Sequence, residues 1–280
     1  MAIPGRRTSD VMPEVEVVSA GNEVVLGHVL DTNSNFLCRR VTAAGGCITR
    51  TVMVGDEIET IAAELSAALG RQPALVFTVG GLGPTTDDLT LSGVALATGR
   101  ALELHPEAER LVREKYAEFA ELGYVPFADM NESRLKMAHL PAGAEPLVNP
   151  AGGAPGVLVR CDTTAIVSLP GVPEELMAIV DESLDGLFDE LFGGAHYDER
   201  ALVVDLQDEL AIAEILRDVD EASPGVYIKS RAKRMGPEVK IRITLSARGQ
   251  DGGQVSKMIL IPLEQLEQRL AAAGFGVARE

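Results

Sequence analysis

The stretch A-L-V-F-T-V-G-G-L-G-P-T-T-D-D-L-T, residues 74–90, decides the fold. Its first six residues are almost all apolar and do not alternate, as expected of a strand buried on both faces of a parallel sheet. The run then breaks into three glycines and a proline, and two adjacent carboxylates precede the next apolar segment. In open parallel sheets, ligands bind outside the carboxyl ends of the strands, where this loop falls. Glycines there let the backbone approach a ligand and leave N–H groups for an anion, so Gly80, Gly81 and Gly83 are candidate phosphate-cradling residues. Asp87 and Asp88 are candidate metal ligands, because a Mg²⁺-like ion takes one or two carboxylates together with phosphate oxygens. Turn chemistry gives a plainer account, in which Thr85, Thr86 or Asp87 caps the following helix. The loop fits neither G-x-x-x-x-G-K-[ST] nor G-x-G-x-x-G.

Outward from this loop, strands and helices alternate. Residues 14–20 read as a buried strand, and Asp31, Thr32 or Asn33 as the N-cap of a helix that stops near Gly45. C-I-T-R-T-V-M-V is a second strand, and a helix follows from its natural N-cap Asp56 to Gly70. Past the loop come a short helix over residues 89–99 and a longer one from Pro106. Strands at 146–149, 156–160 and 165–169 and a helix from Pro173 through Leu191 complete a mostly parallel sheet covered on both faces. Residues 193–200 have a linker composition. The remainder reads as strand, helix, strand, strand, helix: a small α+β domain. The expected division is a flexible N-terminus at 1–13, a first domain at 14–192 and a second at 200–280.

Composition narrows the function classes. With 46% apolar residues the 280-residue chain builds a real core. A net charge of −17 argues against general binding to nucleic acid or an anionic membrane, and the 4% aromatic content, with no Trp, argues against base-stacking platforms. Three scattered cysteines fit neither a disulfide framework nor a structural zinc site, and the four histidines show no i,i+4 pairing. No G-x-S-x-G elbow is present. Neither a secretory signal nor an apolar run of membrane-spanning length is seen, so a soluble, cytoplasmic protein is expected. K-S-R-A-K-R, residues 229–234, is the one basic run. Its plain reading is a solvated face and its functional reading a phosphate or RNA contact, with Tyr227 the only aromatic signal beside it.

Six motifs occur in an order that resembles the competence/damage-inducible protein A (CinA) family, whose N-terminal domain is of the MoaB/MogA-like, molybdopterin-binding type. They are G-N-E-V-V-L-G-H-V-L-D-T-N at 21–33, V-G-D-E at 54–57, G-G-L-G-P-T-T-D-D-L-T at 80–90, L-P-A-G-A at 140–144, N-P-A-G-G-A-P-G at 149–156 and L-P-G-V-P-E-E at 169–175. The second domain, with V-Y-I-K-S-R, resembles the smaller domain that follows in CinA-like proteins. The resemblance implies a three-layer α/β/α domain that binds a phosphorylated nucleotide or pterin and forms homo-oligomers. In the MoaB/MogA relatives an acidic residue follows the Gly-rich loop, where this chain has Asp88, and another follows the second strand, where it has Asp56.

The function so implied is metal-dependent hydrolysis of a nucleotide pyrophosphate such as ADP-ribose, with Mg²⁺, Mn²⁺ or Co²⁺. Asp56 and Asp88 are the expected catalytic residues, and Asp87 with Asp88 the expected metal ligands. Gly80, Gly81, Gly83, Thr85, Asn33, Gly153 and Gly171 form the expected substrate-binding set. Non-hydrolytic molybdopterin binding is the alternative, and a regulatory adaptor with a vestigial pocket is a third. Two departures stand out. Met137 occupies the place of a family Gln, leaving Arg134 and Lys136 as candidate phosphate partners. The sequence ends before any nicotinamide-mononucleotide deamidase motif, so that activity is not expected.

Overall fold

The computed structural model describes residues 12–193, 195–206, 208–235 and 238–280. All but the last two residues of the flexible segment expected at 1–13 lie outside them. The chain divides into two compact units, with the main boundary at Gly193.

The first unit begins β1 (Glu14–Ala20), α1 (Asn22–Val25), α2 (Thr32–Ala43), β2 (Cys47–Val54), α3 (Ile58–Arg71), β3 (Leu75–Val79) and α4 (Thr90–Thr98). It continues β4 (Leu102–Leu104), α5 (Pro106–Glu121), α6 (Glu132–Lys136), β5 (His139–Pro141) and β6 (Glu145–Leu147). It closes with β7 (Gly156–Cys161), β8 (Thr164–Leu169), α7 (Pro173–Ser183) and α8 (Asp185–Phe192). Six strands form one sheet in the order β2-β1-β3-β8-β7-β6.

Neighbours from β2 to β8 pair in parallel, as expected, whereas β7 and β6 run on as an antiparallel tail. The cause is chain length: two residues separate β7 from β8, enough for a hairpin and far too few for a crossover. Asp162, in that turn, takes a left-handed φ of 46°. The single helix expected from Pro173 breaks at Leu184 into α7 and α8. The β4–β5 ribbon, α1 and α6 had no clear signal in the sequence.

Every residue of β3 and β8 is buried, which explains their unalternating apolar runs. Val76 and Ile166 join the core formed with Ile61 and Leu65 of α3 and Val94 of α4. Phe77 emerges on the opposite face and meets Phe188 of α8 edge-on, with ring centroids 6.4 Å apart. Helices therefore cover both faces, giving the three layers that the resemblance implied.

One charge enters this core. Glu16 of β1 is only 4% exposed and accepts two hydrogen bonds from the Arg71 guanidinium, at 2.7 and 2.6 Å. Removing one partner of such a pair leaves a buried charge without compensation. Arg71→Ala is expected to cost about 2–3 kcal/mol, somewhat below the range for fully buried pairs because Arg71 itself is partly solvated. Denaturant unfolding checks it, with Glu16→Gln/Arg71→Ala expected to recover much of the loss.

The second unit runs β9 (His196–Val204), a 3₁₀ turn (Glu209–Ile212), α9 (Ala213–Ala222), β10 (Val226–Met235), β11 (Glu238–Gly249), α10 (Gly252–Ala272) and β12 (Val277–Arg279). Its sheet order is β10-β11-β9-β12, with every pairing antiparallel. Residues 196–200, expected as linker, belong to β9, because pairing with β11 overrides their polar composition. β12 also exceeds the expected elements and completes a β-α-β-β-α-β arrangement. Leu202, Val204, Ile241, Ile243 and Leu245 form one core with Ile259, Leu263 and Leu266 of α10.

Candidate functional site

At the carboxyl ends of β3 and β8 lies a cleft of about 520 Å³. Gly80–Gly83 and Pro170–Val172 line it together with Tyr116, Phe119, Met137 and residues 151–154. Glu23, Asp88 and Glu175 supply its carboxylates, and among the described residues neither Lys nor Arg lines it. The glycines are required by geometry. Gly80 has φ +91°, and a Cβ there would stand 2.3 Å from the carbonyl oxygen of Ala20. Gly81 has φ +66°, and its Cβ would meet Thr90 Oγ1 at 2.4 Å.

The Gly80 N–H is committed to the sheet, donating to the Leu169 carbonyl at 2.9 Å, so it is not free for an anion. The amides of Gly81, Leu82 and Gly83 have no acceptor among the described residues, and neither do those of Gly171 and Val172 at the start of α7. Two sets of N–H groups thus stand at one cleft, the second at the positive end of a helix. Buried oxygens without partners stand nearby in the chain: Thr78 Oγ1, Ser168 Oγ, Thr90 Oγ1 and Asn33 Oδ1. Asn33 Nδ2 donates to the Gly171 carbonyl at 2.7 Å, tying the start of α2 to this floor. The cap of α2 is Asp31, which accepts from the Ser34 N–H at 2.8 Å.

The loop carboxylates are tied to one another through Thr85. Asp88 Oδ2 accepts from the Thr85 N–H at 2.8 Å and from its hydroxyl at 2.6 Å, and Asp87 Oδ1 also accepts from that hydroxyl. The Thr85 hydrogen bond holds the Asp87 carboxyl below its usual range, helped by its own backbone N–H and by Lys136. Lys136 Nζ donates to the carbonyls of Thr85 and Asp88, the latter at 2.8 Å. This candidate phosphate partner is therefore engaged in clamping the loop. The capping account of the loop also fails: α4 starts after Leu89 with no side-chain cap, because these oxygens close the loop on itself.

Asp56 does not line the cleft. Its Oδ2 accepts from the Asn22 N–H at 2.8 Å, closing the turn after β1 instead of capping α3, whose N-cap is Glu57 with no side-chain bond to a backbone N–H. Burial raises the Asp56 carboxyl; the Asn22 hydrogen bond opposes this, and Glu23, Asp87 and Asp88 add repulsion. Of the expected residues, the cleft gathers Gly80, Gly81, Gly83, Asp88, Gly153 and Gly171, and leaves Asp56, Asp87, Thr85 and Asn33 outside its lining.

Sequence reasoning missed Glu175 and its partner Asn149, although both lie in motifs that it quoted. Asn149 Nδ2 donates to Glu175 Oε2 and to the Ala154 carbonyl, each at 2.7 Å. Its Oδ1 accepts from the Ala151 and Gly152 amides. A Cβ at Gly152 would stand 1.9 Å from Glu175 Oε2, and one at Gly153 would stand 2.9 Å from the Tyr116 ring. This backbone can thus lie against both side chains only with glycine at those positions. Burial pushes the Glu175 carboxyl up, against the Asn149 hydrogen bond and with the help of Glu174. Tyr116 and Phe119 meet edge-on at 5.6 Å, and the Arg134 guanidinium lies 4.0 Å from the Tyr116 ring centroid. Among the described residues no group of three or more His, Cys, Asp or Glu is placed to hold a metal. The donors at the cleft are carboxylates only, a set that suits a hard cation completed by phosphate oxygens.

The chain matches the family described as a probable molybdopterin binding domain over residues 16–189. A protein of Aeropyrum pernix is 38% identical, the alignment covering 96% of this chain and 97% of that one. Protein TK1472 of Thermococcus kodakarensis is 36% identical over 91% of this chain and 96% of its own. Among solved structures, CinA of Thermoplasma acidophilum superposes with a TM-score of 0.57 at 32% identity, over 63% of this chain and 98% of that one. With more than half of its length matched, this chain belongs to the family of the probable molybdopterin binding domain and is CinA-like.

Proposed function

We propose that the cleft binds the diphosphate of a nucleotide such as ADP-ribose and hydrolyses its pyrophosphate bond with the help of a divalent cation. The observation that carries this reading is the pairing of unpartnered amides with acidic side chains. Gly81, Leu82, Gly83, Gly171 and Val172 offer donors to phosphate oxygens, while Glu23, Asp88 and Glu175 would repel a bare polyanion. Asp88, together with the phosphate oxygens, would hold a divalent cation, which would supply charge neutralisation and polarisation of the phosphoryl group. Mg²⁺, Mn²⁺ and Co²⁺ are the candidates. Glu175 takes the proton from the attacking water, and Asn149 fixes which carboxylate oxygen remains to receive it. Tyr116 and Phe119 give the ring of the ligand an apolar wall.

The family description also supports a second reading, molybdopterin binding, here taken without turnover, since a pterin phosphate would use the same amides and the same wall. One experiment separates the two. With ADP-ribose and each cation, the hydrolytic reading expects a cation-dependent rise in melting temperature together with release of AMP. A melting shift with a pterin phosphate and no AMP from ADP-ribose selects the second reading. No shift with either ligand leaves only an adaptor role for this fold.

A further inference from the structure

We infer that the open face of the second unit's sheet binds single-stranded nucleic acid. The core of this unit takes up one face of the sheet, through Leu202 and Val204 of β9 and Ile241, Ile243 and Leu245 of β11. Alternation along the strands then assigns the other face. β10 presents Tyr227, Lys229 and Arg231 there, β11 presents Arg242 and Arg248, and β9 presents Tyr197. All six line one groove of about 250 Å³.

The charge arrangement calls for a partner. Arg231 sits directly opposite Arg242 across the β10–β11 pair, and like charges so placed destabilise a sheet. Arg242 is offset by Glu280 and by Glu199 at 3.8 Å. Lys229 and Arg231 have no ion-pair partner among the described residues. Among the described residues Glu199 is the one carboxylate lining the groove, and it also accepts from the Tyr197 hydroxyl at 2.6 Å. The chain's net charge of −17 conceals this face: residues 195–280 carry 12 Lys and Arg against 14 Asp and Glu, a net −2, so the acidity is concentrated in the rest of the chain.

The aromatics select the class of polyanion. Tyr227 is 63% exposed, and the Arg248 guanidinium lies 5.2 Å from the Tyr197 ring centroid. The two tyrosines lie on strands either side of β11, Tyr227 opposite Ser246 and Tyr197 opposite Arg248, so they stand roughly 12 Å apart on the sheet. One nucleotide ring cannot lie on both. Separate bases of a single strand can, one on Tyr227 and one on the Arg248 guanidinium that covers the half-buried Tyr197 ring, with their phosphates running over the intervening cations. A duplex keeps its bases stacked and offers these rings nothing. The overall acidity that argued against nucleic acid therefore does not hold for this face.

The test is fluorescence anisotropy of the full chain with labelled 12-nucleotide oligouridylate and oligothymidylate, at 50 and 200 mM salt. The expected result is saturable binding that weakens with salt and is tighter than for a duplex of equal length. Lys229→Glu/Arg231→Glu is expected to lose at least tenfold in affinity and Tyr227→Ala roughly tenfold, both with unchanged melting temperatures. Should the double reversal unfold the chain, Lys229→Gln is expected to retain the fold and lose about threefold. Absence of binding at 50 mM salt, preference for duplex or for phosphatidylserine vesicles, or wild-type affinity in the folded variants overturns the inference. So does competition by ADP-ribose, which would place the oligonucleotide in the cleft of the first unit.

Discussion

Asp88→Ala is expected to lower kcat/KM for ADP-ribose by about 10²–10³-fold, the loss of one well-placed electrostatic group at a reacting centre. Asp88 has two roles, and a second variant separates them. Its Oδ2 closes the loop on Thr85, while the charge of the carboxylate faces the cleft. Asn at this position keeps an oxygen that accepts from the Thr85 N–H and removes the charge. If the charge matters for holding a cation, Asp88→Asn loses nearly as much as Asp88→Ala, and the cation concentration needed for half-maximal rate rises. If loop closure matters, Asp88→Asn restores most of the rate. Equal rates in the wild type and both variants would remove Asp88 from the reaction.

Glu175→Gln is expected to reduce kcat by about 10²–10⁴-fold, the usual contribution of a general base. The pH profile carries the mechanistic content. Burial raises the Glu175 carboxyl, so the wild-type rate climbs through a pH above the ordinary glutamate value as the base ionises, and this limb is absent in the variant. Stability responds in the opposite direction. A carboxyl raised by folding stabilises most fully below its unfolded value and loses that contribution as pH rises through the folded value. Glu175→Gln is therefore expected to melt at least as high as wild type above that window. A pH–rate profile unchanged in shape, with only its height reduced, would make Glu175 a structural prop for the loop at 149–154.

Much of this was legible in the sequence, because buried parallel strands and Gly-rich strand ends leave strong local marks. The unalternating run at 74–79 announced β3, and Gly80 and Gly81 marked the backbone turn that follows it. What escaped depended on partners distant in sequence. Asp56 looked like the cap of α3, yet its oxygen goes to Asn22, 34 residues away. Glu175 stood unremarked inside L-P-G-V-P-E-E, and only the fold shows that Asn149 and Gly152 lie against it. Gly80 was read as a donor to phosphate, but its N–H is consumed by the neighbouring strand, which moves the cradle one residue along. The linker reading of 196–200 failed because polar residues on the solvent side of a strand look like loop until their partner strand is known, and it concealed Tyr197.

The last strand, β12, lies along β9, and the Glu280 N–H reaches the Ala201 carbonyl at 3.0 Å. These few residues act as a guard rail for the second unit. A protease that trimmed them away would bare a row of amides and carbonyls along β9, inviting another polypeptide to dock there in extended form. Molecules nicked in this way would tend to clump while their first unit stayed intact.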